Sequence, residues 1–373
     1  MPSMEIDRRH VLALLAACAA WPALAISGER AALGDEALYL AARKNGSRFE
    51  AALFDEYGRD RLVVPMPDRG HSFAIDRARG RAVAFGRQPG FFAVAFDLAG
   101  KRVPQALSVA AGRHFFGHGV YTPDGKLMVA TENDFEAGRG VLGVYDASTG
   151  GNYRRIGEFS TAGVGPHEVV LMPDGRTLCV ANGGILTHPD YGKLQLNPDD
   201  MLPSLVYLDV HTGDLLEQVF LAPELHRSSI RHLVVDAAGA VWFGCQYTAT
   251  DQRRPALVGR HRRGAQPELF AGPDETLRGM KNYVGSLATD STGTIVATSS
   301  PVGGCVVFWD THSGRCMGRS EIFDGCGVAA GPQQGFVISS GQGALVAAGV
   351  QGDQHALHKP VPDLSWDNHL RRI

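Results

Sequence analysis

Five histidines recur at one place in a repeated pattern. His71, His118, His167, His232 and His369 each stand at the opening of a short apolar strand. The chain holds 14 histidines in 373 residues, so five at matching positions form a pattern rather than scatter. Neutral imidazoles brought to one point are a recurrent ligand set for copper, iron, zinc or nickel. Cys326 stands near the same place in a further repeat, and a thiolate there would tilt the set towards copper or zinc. The five histidines are therefore a candidate metal set for copper, iron or zinc, of which three or four suffice for ordinary coordination. Duplication offers a second explanation. Repeats inherit residues, and a histidine at this place serves equally as a hydrogen-bond partner for the next repeat. First-strand side chains also alternate between neighbours, so the five need not all meet.

Other polar groups fall near them. Glu132, Asn133, Asn182 and Gln246 close the second strands of their repeats and are candidate cofactor- or ligand-binding residues. Glu132 and Asp134 have the chemistry of a general base or a hard-metal ligand, or simply of a solvated loop. Glu168 follows His167 directly, so strand alternation sends the two to opposite sides. Arg113-His114 and Arg231 precede two of the strands and have the charge to hold an anion. No nucleophile elbow, HExxH, P-loop or dinucleotide fingerprint is present, and catalytic residues stay unassigned.

The elements that must position these residues are short strands. His118 to Asn133 reads as strand, Pro-Asp-Gly turn, strand, and His167 to Gly184 repeats it almost element for element. Third strands then end alike, in Asp followed by a Gly-containing turn at Gly100, Gly150, Gly213 and Gly314. Four-stranded units open at His71, His118, His167, His232, Ser286 and about Gly327, at spacings of about 41 to 65 residues. The first strands of the chain, Ala37 to Arg43, Arg48 to Asp55 and Arg61 to Met66, lack an opening partner. The last segment, Trp366 to Ile373, supplies one. The expected fold is all-β, a seven-bladed β-propeller over 37–373 whose last blade is closed by the C-terminal strand and the N-terminal strands. A β-solenoid is the alternative, but its repeats would be shorter. In a propeller the histidines share one face with the loops joining second and third strands. The insertion from Gly184 to Pro203 belongs to that face and has the length of a lid.

Composition bounds the function. With 44% hydrophobic and 20% charged residues and a formal net charge of -3, the chain carries no electrostatic footprint for nucleic acid. At the N-terminus Arg8-Arg9 precede an apolar run, Val11 to Ala20, and Ala23-Leu24-Ala25 offers a cleavage site. Residues 1–25 are thus expected to be a twin-arginine export signal and 26–36 a linker. The run is too short for a membrane span. Leu15 to Cys18 also has the form of a lipid-attachment box, with Cys18 as the acylated residue. Five other cysteines, without a CxxC or CxxCH spacing, support neither a disulfide framework nor covalent c-type haem. Cys179 and Cys245 sit inside apolar strands as small buried groups.

The segments RHFFGHGVYTPDG, TENDFEAGRGVLGVYD, GVGPHEVVLMPDGRTLCVANGGI, SIRHLVVD, NYVGS, DGCGVA and WDNHL resemble one bacterial family of YVTN-like propellers. This is the twin-arginine-exported domain-of-unknown-function 1513 family, and the resemblance spans essentially the whole chain. It implies a periplasmic location. Its members are often encoded beside imelysin-type iron-uptake proteins and a di-haem, c-type haem oxidoreductase. The resemblance therefore implies such partners and a role in iron or other metal handling, and brings no catalytic residues with it. Three functions follow: a binding protein with a metal or ligand site at the histidine-lined end of the channel, a lactonase-like hydrolase or metal-dependent oxidase, and a non-enzymatic interaction scaffold.

Overall fold

The computed structural model describes residues 37–332 and 335–373. The expected export signal, Cys18 and the 26–36 linker lie outside the described residues. Among those described, 28 strands, numbered β1 to β28 in chain order, form seven four-stranded sheets. Six sheets are consecutive meanders. The seventh pairs the last strand, β28 (Leu364–Arg372), with β1 (Leu38–Asn45), followed by β2 (Arg48–Asp55) and β3 (Asp60–Met66). The chain thus closes as the unpartnered first strands require.

The innermost strands are β4 (Gly70–Asp76), β8 (Arg113–Tyr121), β12 (Pro166–Leu171), β16 (Ser228–Val235), β20 (Ser286–Thr289), β24 (Gly325–Ala330) and β28. Each packs on the next, and β28 returns to β4, which makes the ring. Alternation of side chains supplies the glue. On the second strand of the first blade, Ala82 and Ala84 enter the core shared with the closing blade, while Val83 and Phe85 enter the core shared with the next. The described residues contain seven such apolar clusters, one between each pair of neighbouring sheets.

Turn chemistry sets the blade lengths. In Thr122-Pro123-Asp124-Gly125 the glycine takes φ +65° and its N–H donates to Thr122 O at 2.8 Å, while Asp124 Oδ1 accepts from the Lys126 N–H at 3.0 Å. Gly175 repeats this in the next blade at φ +67°. Among the described residues no helix is long and apolar enough to cross a membrane.

Closure rests on the last strand. Leu370, 2% exposed, packs with Trp366, Tyr39 and Phe54 across the junction between the sixth and the closing blade. Leu370→Ala should lower the unfolding free energy by about 2–5 kcal/mol in urea titration. A change within about 0.5 kcal/mol would show that this strand does not hold the ring.

Candidate functional site

The histidines owe their direction to bulges. Pairing of β4 with its neighbour shifts register between Gly70 and Phe73, and pairing of β8 shifts between Phe115 and Gly119. Similar shifts fall between Pro166 and Glu168 on β12 and between Ile230 and His232 on β16. On β28 the break lies between Trp366 and Leu370. An unpaired extra residue bends and twists its strand, so the side chains there leave the blade-to-blade alternation and turn to the axis. Space is tight. A Cβ on Gly117, which has φ +106°, would lie 2.6 Å from the His71 ring, so only glycine fits between β8 and that imidazole.

All five imidazoles meet. Ring centroids lie 4.5 Å apart for His71–His369, 4.6 Å for His118–His369, 4.7 Å for His167–His232 and 5.0 Å for both His71–His118 and His118–His167. Two triads, His71–His118–His369 and His118–His167–His232, each bring one ligand atom per residue within 4.8 Å of one another, with His118 common to both. The set was expected at strand openings on one face. Instead His118 and His369 lie well inside β8 and β28, and all five are buried in the channel, none more than 7% exposed.

Two carboxylates orient the rings. Asp367 Oδ1 lies 3.1 Å from His71 Nδ1 and also accepts from Arg87 Nη1 at 2.8 Å, while Oδ2 accepts from Arg69 Nε at 2.6 Å. A carboxylate only accepts, so His71 carries its proton on Nδ1 and leaves the Nε2 lone pair free. Glu168 Oε1 accepts from Arg371 Nη2 at 2.5 Å and Oε2 from the Leu233 N–H at 3.1 Å. Its oxygens lie 3.4 Å from His118 Nδ1 and 3.4 Å from His232 Nδ1. Strand alternation would have sent His167 and Glu168 apart, but the bulge at His167 brings both to the cluster. His118 Nε2, His167 Nδ1, His369 Nε2 and, despite its approach to Glu168, His232 Nδ1 are buried without a hydrogen-bond partner.

Burial sets the protonation. It pushes His71 down to about 3 against the opposing pull of Asp367, and His232 to about 4 against Glu168. His118 is lowered by the same cause, and His167 and His369 fall well below the usual imidazole range, helped by repulsion from their neighbours. Burial works against the Glu168 charge, but the surrounding imidazoles and Arg371 hold it well below the usual carboxylate range. At neutral pH the centre is five neutral imidazoles beside two paired carboxylates.

The cluster separates two chambers. The upper one, ≈ 280 Å³, is bordered by His71, His167 and His232, by Arg87 and Arg231, and by Ile185, Thr187, Lys193 and Gln195 of the 184–203 insertion. The insertion is tied down by Asn133 Nδ2 donating to Thr187 O at 3.1 Å and Gln88 Nε2 donating to Thr187 Oγ1 at 3.2 Å. The lower chamber, ≈ 330 Å³, has His118, Glu168 and Arg371 at its head and walls of Phe73, Ile75, Val169 and Leu171.

The remaining expected residues divide. Gln246 borders the upper chamber and donates from Nε2 to Val284 O at 3.2 Å. Asn133 works at one remove, holding the insertion and His114 Nε2 at 3.1 Å. Asn182 is spent on Thr161 O at 2.8 Å and Ser204 Oγ at 3.3 Å, inside its own blade edge. Glu132 is not near the imidazoles. It is fully buried within the second blade, where Tyr145 Oη donates to it at 2.5 Å and Arg155 Nη2 at 2.9 Å. Gly143 leaves the room, since a Cβ there would sit 1.8 Å from Glu132 Oε1. Cys326 also stays out. Its Sγ donates to Asp324 O at 3.0 Å, burial pushes the thiol far up, and the converging ligand groups among the described residues contain only histidines. The sequence reading missed Asp367 and Arg371, which flank His369, because their partners lie far away in the chain; Arg371 and Glu168 are 203 residues apart.

Several solved structures share the fold. The hydrazine synthase of Kuenenia stuttgartiensis aligns at TM-score 0.59 and 13% identity, covering 85% of this chain and 92% of that one. A putative 6-phosphogluconolactonase from Bacteroides uniformis aligns at 0.59 and 13%, covering 91% and 100%. The Cps50 (Swd1) β-propeller domain of Myceliophteria thermophila aligns at 0.53 and 12%, covering 84% and 94%. At such identities the likeness speaks for the propeller alone. No curated protein matches the chain. A family model does: "Protein of unknown function (DUF1513)" matches residues 64–373, from the third strand through the closing one. The chain belongs to the DUF1513 family.

Proposed function

We propose that this propeller binds a transition-metal ion at the buried histidine centre. One observation carries the reading: two histidine triads sharing His118, each with ligand atoms inside 4.8 Å, and four ring nitrogens buried without a hydrogen-bond partner. Buried polar atoms left unpaired are costly unless something takes their lone pairs. Tetrahedral ligation at about 2.0–2.1 Å places ligand nitrogens about 3.3 Å apart, so a contraction of about 1.5 Å or less brings a triad into range. Neutral imidazoles suit zinc, copper, iron or nickel and disfavour magnesium and calcium, which take oxygen ligands. Asp367 and Glu168 then play the orienting role that carboxylates play behind metal-bound histidines.

The resemblance to proteins encoded beside iron-uptake components makes iron the first ion to test, with copper and zinc next. The same resemblance proposes a periplasmic site of action and imelysin-type or c-type haem partners. A twin-arginine route, which carries folded proteins, would let the metal load before export. The sealed position of Glu132 does not favour a hydrolase that uses it as general base.

Metal analysis checks this. Protein purified from cells, or reconstituted with iron, copper or zinc, should hold about one ion per chain, and a His118→Ala/His167→Ala variant should hold less than about a tenth of that. Glu132→Ala should keep the ion while losing about 1–3 kcal/mol of stability, because Tyr145 Oη loses its buried acceptor while Arg155 keeps Glu158 at 2.7 Å. Stoichiometry near zero in the wild type, or unchanged in the double variant, overturns the proposal.

Acid should unfold the metal-free protein early. The folded histidines have lowered pKa values, so below the ordinary imidazole range the unfolded chain binds more protons than the native one. Stability is therefore full above about pH 6.5 and falls between about 6.5 and 3, the His232 share ending near its folded value of about 4 and the His71 share near about 3. Each histidine contributes at most about 1.4 kcal/mol per pH unit. Urea titrations at pH 7.5, 6 and 5 should show this decline, and a flat profile across them would contradict neutral burial.

A further inference from the structure

The upper chamber has a charge that the histidine centre does not use. Three cations border it, Arg87, Lys193 and Arg231, and no carboxylate does. The nearest acid, Asp367, is 3% exposed and already engaged by His71, Arg87 and Arg69. That pairing neutralises one arginine. Lys193 and Arg231 have no carboxylate partner among the described residues. Arg231 Nε is out of contact with solvent and has no hydrogen-bond acceptor. A guanidinium donor held in that state is unfavourable unless an acceptor arrives from outside.

The rest of the lining is mostly neutral and polar. Gln88, Gln195, Asn368 and Tyr283 face the same space, and the three imidazoles at its floor are uncharged at neutral pH. The wall formed by Lys193 and Gln195 belongs to the insertion, which Asn133 and Gln88 fix in place. Burial together with repulsion from Arg87 and Arg69 lowers Lys193, the mark of an uncompensated positive field. At ≈ 280 Å³ the chamber lies at the small end of ligand pockets and excludes a large cofactor.

We infer that the upper chamber is a binding site for a small, multiply charged oxyanion, a polycarboxylate or a phosphate, held between Arg231, Lys193 and Arg87. Arg231 supplies the planar fork that matches a carboxylate or phosphate edge, and Lys193 closes on it as a point charge from the insertion. The lower chamber, walled by Phe73, Ile75, Val169 and Leu171, offers no comparable cation set apart from Arg371, which is spent on Glu168.

Calorimetric titration of the metal-free full chain with citrate and, separately, with inorganic phosphate tests the site. At least one should bind with Kd at or below about 1 mM, and the stronger of the two identifies the class. Arg231→Gln/Lys193→Gln should weaken it by about tenfold or more, with melting temperature showing that the variant is folded. Lys126→Gln, at an exposed cation that borders neither chamber, should bind the anion as the wild type does. Binding of neither anion, or equal affinity in the Arg231→Gln/Lys193→Gln variant, overturns the inference. Because no metal is present in this titration, its failure is separate from failure of the histidine proposal.

Discussion

Every sheet of this protein buries both faces, and that constraint organises the rest. A strand that alternates side chains between two neighbours has no solvent face to spare, so each blade needs a blade on either side. Only a closed ring satisfies all seven. Pairing of β28 with β1, from Asn45 opposite Leu364 to Tyr39 opposite Arg372, is the step that closes it. Without that pairing, β1 would be an open edge and two apolar clusters would lose a wall.

Closure in turn crowds the axis. Seven first strands converge on a space too narrow for alternation to continue unchanged, and bulges absorb the conflict on β4, β8, β12, β16, β24 and β28. The bulged residues are those that turn inward. Four of these strands place an imidazole there, β16 places Arg231 there with His232 beside it, paired to Gly244, and the sixth places Cys326 and Gly327 between its shifted partners. A buried charge at the axis would be costly, so the imidazoles are neutral and the two carboxylates are fully paired, Asp367 with Arg69, Arg87 and His71, and Glu168 with Arg371. The result is a buried, polar, nearly neutral plug with free lone pairs.

The plug also makes the channel asymmetric. Above it lies a cationic chamber walled in part by the insertion, and below it one with apolar walls and His118, Glu168 and Arg371 at its head. A metal at the histidines and an anion above them would be neighbours, since His71, His167 and His232 border the upper chamber. The second blade shows that burial of acids alone does not mark a site. Glu132 with Tyr145 and Arg155 is as buried as Glu168, yet it closes on itself within one sheet and offers nothing to the axis.

Much was readable from the chain. Pro-Asp-Gly turns and recurring Asp-to-Gly hairpins fixed the blade period, because turn geometry depends on a few adjacent residues. The missing partner of β1 and the surplus strand at the end foretold the closing blade. Equivalent histidines in successive repeats pointed to the axis, since repeat symmetry carries like residues to like places. What the sequence left undecided depends on contacts between distant segments. Whether the histidines met, whether Glu168 joined His118 or turned away, and whether Glu132 faced a ligand or Arg155 were set by bulges and by packing between blades. A bulge arises when a strand must satisfy its own ladder and a crowded axis together, and no local run of residues encodes that conflict.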